Sequence, residues 1–218
     1  MLSPDIIRLL LIISFFLLGF NVSYIIIIKR KHNQNKAEND IDGKLKETRL
    51  IARIGVIVLS IFIVVCSINI FIYQYLIQII PRINLSFLDE MFQIIGFTFI
   101  IGGNITLFFA YKELGIYWSY PIDGISTKRK LITSGVYSKI RHPIYLSFNL
   151  FSIGFVLVQL DWILLAMYII GGIGLYYQAI DEETILNEYF GQEYEDYMKK
   201  TGRFFVKFNK KECEEQEA

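Results

Sequence analysis

The chain has 218 residues, 54% of them hydrophobic, with 22 basic and 21 acidic residues and a mean hydropathy of +0.43. A soluble domain is usually about 45–50% apolar, so the composition points to the membrane. The net charge of +1 excludes a generally basic nucleic-acid binder and an acidic disordered tail protein. Two cysteines, Cys66 and Cys213, and two histidines, His32 and His142, are too few for a disulfide framework, a zinc cluster or a multi-histidine metal site.

Five apolar runs follow one another along the chain. Ile6–Ile28 is 23 residues interrupted only by Arg8; Ile54–Ile80 (27 residues) and Met91–Tyr111 (21 residues) carry no charge. Ile144–Leu160 (17 residues) and Trp162–Ile180 (19 residues) are separated only by Asp161. At about 1.5 Å rise per residue, such helices reach roughly 25 to 40 Å, against a hydrocarbon core of about 30 Å. A single helix over 144–180 would reach roughly 55 Å. The polar break at Leu160-Asp161-Trp162, with an indole suited to the membrane interface, predicts instead a tight helical hairpin. The first run has a long core and is followed, not preceded, by the basic cluster Lys29-Arg30-Lys31, which reads as a retained anchor and not a cleaved signal peptide.

Basic residues set the expected orientation. Eight lie between Lys29 and Arg53, six between Lys112 and Arg141 and six after Ile180, together 20 of the 22. Five spans place all three segments on one side, which the positive-inside rule makes cytoplasmic. The expected fold is thus an all-α integral membrane protein of about five transmembrane helices, the last two a hairpin. The N-terminus is outside, the C-terminus cytoplasmic, and a cytoplasmic amphipathic helix follows the last span. The Ile- and Lys-rich composition suggests a prokaryotic cell membrane.

The chain divides into a three-span region over 1–112 with a cytoplasmic loop at 29–53, a core at 113–206 and a polar tail at 207–218. Pro81 ends the second span, and 81–90 is a short outer connection. In the third span Gly96, Gly102, Gly103, Asn104 and Thr106 are read as helix-packing residues, since small side chains let backbones approach closely in lipid. Gly171-Gly172-Ile173-Gly174 lacks the spacing and the preceding strand of a dinucleotide motif, so helix packing is again the reading. Over 181–201, Leu186, Tyr189, Phe190, Tyr194, Tyr197 and Met198 recur at steps of 3 and 4, predicting an amphipathic helix with a bend near Gly191.

Polar groups crowd next to the spans at two places. One is Leu131 to Tyr145. Thr133-Ser134-Gly135 signals a turn, and Pro143 suits the first turn of the next helix. Arg141 and His142 then sit where that helix begins, with Tyr145 one turn further on a face near His142. Arg141 has two readings, snorkelling to headgroups or orienting an anionic group. The other place is Gln178, Asp181, Glu182 and Glu183. Gln178 and Glu182 share a helix face with Leu186, favouring a buried role for Glu182, whereas Asp181 and Glu183 read as a solvated helix boundary. The hairpin sets these two places side by side. Tyrosine faces attract a cationic centre, and a glutamate accepts hydrogen bonds from hydroxyl or ammonium groups. S-adenosylmethionine is one polar, cationic molecule that suits such a lining, although this chemistry alone does not choose it.

The stretches Leu131-Ile132-Thr133-Ser134-Gly135-Val136-Tyr137, Arg141-His142-Pro143-Ile144-Tyr145, Glu182-Glu183 and Phe190-Gly191-Gln192-Glu193-Tyr194-Glu195-Asp196-Tyr197, with Gly115-Ile116-Tyr117-Trp118-Ser119 upstream, resemble the isoprenylcysteine carboxyl methyltransferase family, with phospholipid methyltransferases as looser relatives. The resemblance covers about residues 115–205. It implies a multi-span membrane enzyme using S-adenosyl-L-methionine, with Leu131, Ile132, Tyr137, His142, Pro143, Ile144, Tyr145 and Glu182 binding the cofactor. It also implies that the amphipathic helix helps close the pocket, and that a lipophilic or prenylated acceptor, small molecule or protein, arrives from the bilayer. Arg141 and His142 are the candidate catalytic residues, His142 more as a binder than a base. In the family's prenylcysteine enzymes, an arginine one turn before the cofactor-binding glutamate engages the substrate carboxylate; here that position is Gln178, the candidate substrate-binding residue. A neutral amide cannot neutralise a carboxylate as a guanidinium does, so an amine or a different acid is an open acceptor.

The expected chemistry is direct in-line methyl transfer, the protein supplying alignment and exclusion of water. Two rival readings are a sterol-reductase-like membrane oxidoreductase using NADPH, which has a similar tyrosine and arginine-histidine-proline stretch, and a non-catalytic membrane scaffold. The five spans and the Glu182-Glu183 pair speak against the reductase.

Overall fold

Charge-free runs become long helices because a backbone in lipid must satisfy its own hydrogen bonds. The computed structural model describes residues 4–34, 49–76, 83, 88–117 and 130–207. Its helices are α1 (Pro4–Gln34), α2 (Leu50–Leu76), α3 (Asp89–Leu114), α4 (Pro143–Gln159), α5 (Trp162–Phe190) and α6 (Gln192–Lys200), with 3₁₀ turns at Gly115–Tyr117 and Gly135–Ser138. Among the described residues there is no strand, only an isolated parallel bridge between Ile140 and Gly202.

Among the described residues four helices, α1, α2, α3 and α5, are long and apolar enough to cross a membrane. The protein is an integral membrane protein. The fourth apolar run forms α4, whose 17 residues reach only about 25 Å, short of a hydrocarbon core of about 30 Å. It packs closely against α3. A Cβ built on Gly96 of α3 would lie 2.7 Å from the Gly154 carbonyl of α4, and one on Gly103 would lie 2.9 Å from the Ser147 carbonyl. Gly102 behaves differently from the packing residue expected of it, having open space beside it, and Thr106 donates back to its carbonyl. Asn104 is bonded by Asn21 of α1 at 3.2 Å, a buried polar link between spans.

The glycines of α5 serve a second crossing. A Cβ on Gly174 would lie 2.1 Å from Cα of Gly55 in α2, and one on Gly171 would meet Leu59. Phe15 of α1 sets its ring edge against Phe151 and Phe155 of α4, in a core that also buries Leu11, Phe62, Ile100, Leu107 and Leu164. The outward faces carry Leu9, Phe16, Ile27, Ile57 and Val64, the surface a bilayer covers.

The hairpin turn is built as its residues suggest. Leu160 adopts the left-handed conformation at φ 51° and closes α4, its N–H reaching the Val156 carbonyl at 2.7 Å. Asp161 then caps α5 by accepting from the N–H groups of Ile163 (2.6 Å) and Leu164 (3.2 Å).

The last span does not stop at Ile180. α5 runs unbroken through the three acids to Phe190, so residues 181–190 belong to it and not to a separate helix. The acids do not end the helix because their side chains find partners across it, as described below. Gly191, at φ 56°, ends it, and the nine-residue α6 buries Tyr194 and Tyr197 while leaving its Glu, Asp and Lys residues outside. Tyr189, expected on the inner face, is exposed.

Helices α1 and α2 also extend into the loop expected at 29–53, as far as Gln34 and from Leu50. Residues 35–48, Pro81 with most of the outer connection, Trp118-Ser119 and 208–218 with Cys213 lie outside the described residues.

Candidate active site

The segment before α4 is shaped by its turn residues and by the chain that returns to it. The Ser134 hydroxyl donates to Glu113 at 2.8 Å, and the Tyr137 N–H closes a turn on the Ser134 carbonyl at 3.0 Å. After α6, residues 201–207 run back as a strap alongside 139–142. The Gly202 N–H donates to the Lys139 carbonyl (3.2 Å), and the N–H groups of Arg141 and His142 donate to the carbonyls of Gly202 (2.9 Å) and Arg203 (3.0 Å). The backbone just before α4 is therefore held from outside the helix. The Tyr197 hydroxyl adds a bond from α6 to the Tyr137 carbonyl at 2.7 Å.

His142 and Tyr145, one turn apart, stack with ring centroids 5.3 Å apart and planes within 4°. Both face the end of α5. The Tyr145 hydroxyl donates to Glu182 Oε2 at 2.9 Å, and His142 Nδ1 lies 3.7 Å from the same oxygen. On its other side His142 Nε2 lies 3.3 Å from Glu183 Oε1. One histidine thus sits between two neighbouring carboxylates.

Glu183 is buried, and it is the centre of a charge network. Arg141 Nε donates to Oε1 at 2.9 Å; Arg203 Nε and Nη2 donate to Oε1 and Oε2 at 3.0 and 2.7 Å. Arg141 also donates to the carbonyls of Met198, at 3.3 Å, and Thr201. The guanidinium expected on headgroups or on a cofactor carboxylate is thus engaged by the protein itself. Asp181 is buried as well, bonded by the Arg49 N–H at 2.8 Å and by Arg49 Nε at 2.9 Å. The solvated boundary expected for Asp181 and Glu183 is corrected on both counts: each is buried because a basic residue from a distant segment neutralises it.

A cavity of about 120 Å³ opens at this junction. Leu131, Ile132, Tyr137, His142, Pro143, Ile144, Tyr145 and Glu182, the residues expected around a cofactor, all line it, as does Arg141. Leu186 and Phe190 of α5 and Tyr194 and Tyr197 of α6 complete the wall, with Leu114, Tyr117 and Lys130. Gln178 is buried one turn before Glu182 but is not part of the lining. Burial pushes the Tyr197 hydroxyl up to about 12, and burial together with the Glu183 and Glu182 carboxylates pushes Tyr194 up. Burial does the same to Tyr137. These phenols are therefore hydrogen-bond donors at neutral pH and not bases.

Residues 94–188 match the model of the isoprenylcysteine carboxyl methyltransferase family. Over this segment the chain is similar to that family. The protein-S-isoprenylcysteine O-methyltransferase of Xenopus laevis is 31% identical over 119 residues, which cover 53% of this chain and 41% of the relative. The namesake protein of Tribolium castaneum is 32% identical over 78 residues, 35% of this chain and 28% of the relative. The chain thus spans less than half the length of the curated relatives it matches. The family segment contains the lining residues of the loop, of α4 and of α5 as far as Leu186. Phe190, Tyr194 and Tyr197 lie beyond it, as do Arg203 and the strap.

Sequence reasoning missed Glu183 and Arg203 as organisers of this site. The signal for Glu183 was present, since adjacent helical residues point about 100° apart, so a Glu-Glu pair can serve two neighbours. For Arg203 the available sign was Gly202 just after α6, a position where a chain can turn sharply; a Cβ there would meet the Phe205 carbonyl.

Proposed function

We propose that this protein is a membrane-embedded methyltransferase that uses S-adenosyl-L-methionine and acts on a lipophilic acceptor. The observation that carries the reading is the convergence of Tyr145, His142 and Glu182, inside the family segment, on one cavity where α4 begins beside the end of α5. The lining fits the cofactor chemically. It offers aromatic faces for a cationic sulfur, a carboxylate for hydroxyl or ammonium groups and apolar side chains for the remainder. When bound, S-adenosylmethionine supplies a sulfonium methyl group for direct in-line transfer, so no covalent protein intermediate is required.

The chain's own residues hold and exclude. Glu182, oriented by the Tyr145 hydroxyl, accepts from the cofactor; Tyr137 and Tyr145 present ring faces; Leu131, Ile132 and Ile144 keep water from the apolar part. His142, fixed between Glu182 and Glu183, is a wall residue. Arg141, committed to Glu183 and two carbonyls, is a positioning residue and not a catalytic one. The relatives' names support a prenylated acceptor. Gln178, buried and neutral, argues against a carboxylate nucleophile and favours an amine or a differently held acid.

The family match of the segment favours this function over an NADPH-dependent reductase or a scaffold. The basic-residue count supports five crossings, α4 included, with the N-terminus outside and the cavity facing the cytoplasm; the Ile- and Lys-rich composition supports a prokaryotic cell membrane. The test is incubation of the purified protein with methyl-labelled S-adenosylmethionine, membrane lipids and a farnesylated peptide. Label in a lipid-soluble or peptide product supports the proposal. No labelled product, with NADPH binding in its place, would overturn it.

A further inference from the structure

We infer that Tyr194 of α6, outside the family segment, is a ligand-binding residue whose hydroxyl donates a hydrogen bond to an acceptor atom of the bound cofactor. Tyr194 lines the cavity and is 1% exposed. Among the described residues its Oη has no hydrogen-bond partner. Buried hydroxyls are nearly always bonded, because one without a partner loses its bonds to water for nothing.

The neighbouring tyrosine sharpens the contrast. Tyr197 packs against Tyr194 with centroids 5.8 Å apart, yet its hydroxyl is bonded to the Tyr137 carbonyl at 2.7 Å. Two tyrosines on one face of α6 thus have different duties: Tyr197 fastens the helix to the loop, and Tyr194, in the cavity wall, keeps a buried donor unused. Burial, with the Glu183 and Glu182 carboxylates, keeps the Tyr194 phenol protonated, so its hydroxyl has a proton to donate. A hydroxyl, ether or carboxylate oxygen, or a purine nitrogen, of the cofactor satisfies it. α6 then is part of the binding surface as well as a cover.

This inference rests on the proposed function, and one experiment separates the two. The full-length protein in detergent is titrated with S-adenosylhomocysteine by calorimetry, and its melting temperature is read without ligand, for wild type, Tyr194→Phe and Tyr197→Phe. Tyr194→Phe keeps the ring and removes only Oη. The expected result is an affinity about three- to tenfold weaker, with a ligand-free melting temperature equal to or above that of the wild type. Tyr197→Phe is expected to melt lower, having lost a bond within the protein. Unchanged affinity in Tyr194→Phe would overturn the inference alone. A lower ligand-free melting temperature for Tyr194→Phe would also overturn it, since Oη would then serve the protein. A wild type that does not bind S-adenosylhomocysteine would sink the proposed function and this inference together, before any variant is compared.

Discussion

Glu183→Gln tests the network that shapes the cavity wall. The change preserves volume but replaces a carboxylate that accepts from Arg141 and Arg203 and lies 3.3 Å from His142. The amide offers one acceptor and turns an NH₂ group toward donors. Removing one partner of a buried pair costs about 3–5 kcal/mol. The lower end applies here for two reasons. The Arg203 side chain is 28% exposed, so its share is close to a surface pair's value of up to about 1 kcal/mol. The Arg141 side chain is 10% exposed but keeps its bonds to the Met198 and Thr201 carbonyls. A loss of about 3 kcal/mol lowers the melting temperature of a chain of this size by roughly 6–12 °C. The strap over 201–207 should also lose hydrogen-exchange protection at the Gly202 N–H and release those of Arg141 and His142. A variant that melts within about 2 °C of wild type, with those amides still protected, would refute the claim that Glu183 holds the strap to the start of α4.

Gly174→Val should separate α2 from α5, because its Cβ would lie 2.1 Å from Cα of Gly55. Overpacking of this kind costs about 1–3 kcal/mol or more, read as a lower melting temperature; an unchanged value would mean that the two helices do not cross there. Tyr197 gives a pH signature. Its folded pKa, raised to about 12 by burial, exceeds the unfolded value near 10, so its contribution to stability is complete below about pH 10 and is lost as pH rises toward 12. The wild-type advantage over Tyr197→Phe should therefore shrink between those values, and a constant difference in melting temperature across them would contradict the assigned burial.

Much of the scaffold was legible because apolar runs and their breaks report directly on helices in lipid. Asp161 as a cap and the turn at Leu160 follow from local chemistry, and so does the stacking of His142 with Tyr145. The convergence of the 131–145 stretch with Glu182 was legible from topology, since a hairpin returns the chain to its starting side. What could not be read was which charges pair. Asp181 meets Arg49 from 132 residues away, and Glu183 meets Arg141 from 42. A reading of one stretch at a time therefore ended the last span at its three acids, where the structure carries the helix through them. Among the third-span glycines, Gly103 meets a neighbouring backbone and Gly102 does not, a difference of one residue in helical phase that composition cannot show.

The most direct test of the account is the binding of S-adenosylhomocysteine to the purified protein, measured by calorimetry for wild type and for Glu182→Ala and Tyr145→Ala. Saturable binding by the wild type, weakened about tenfold or more in each variant as expected for loss of a half-buried charged contact or a buried aromatic one, is the predicted result. Undiminished affinity in both variants would show that the cavity beside the end of α5 is not the cofactor site.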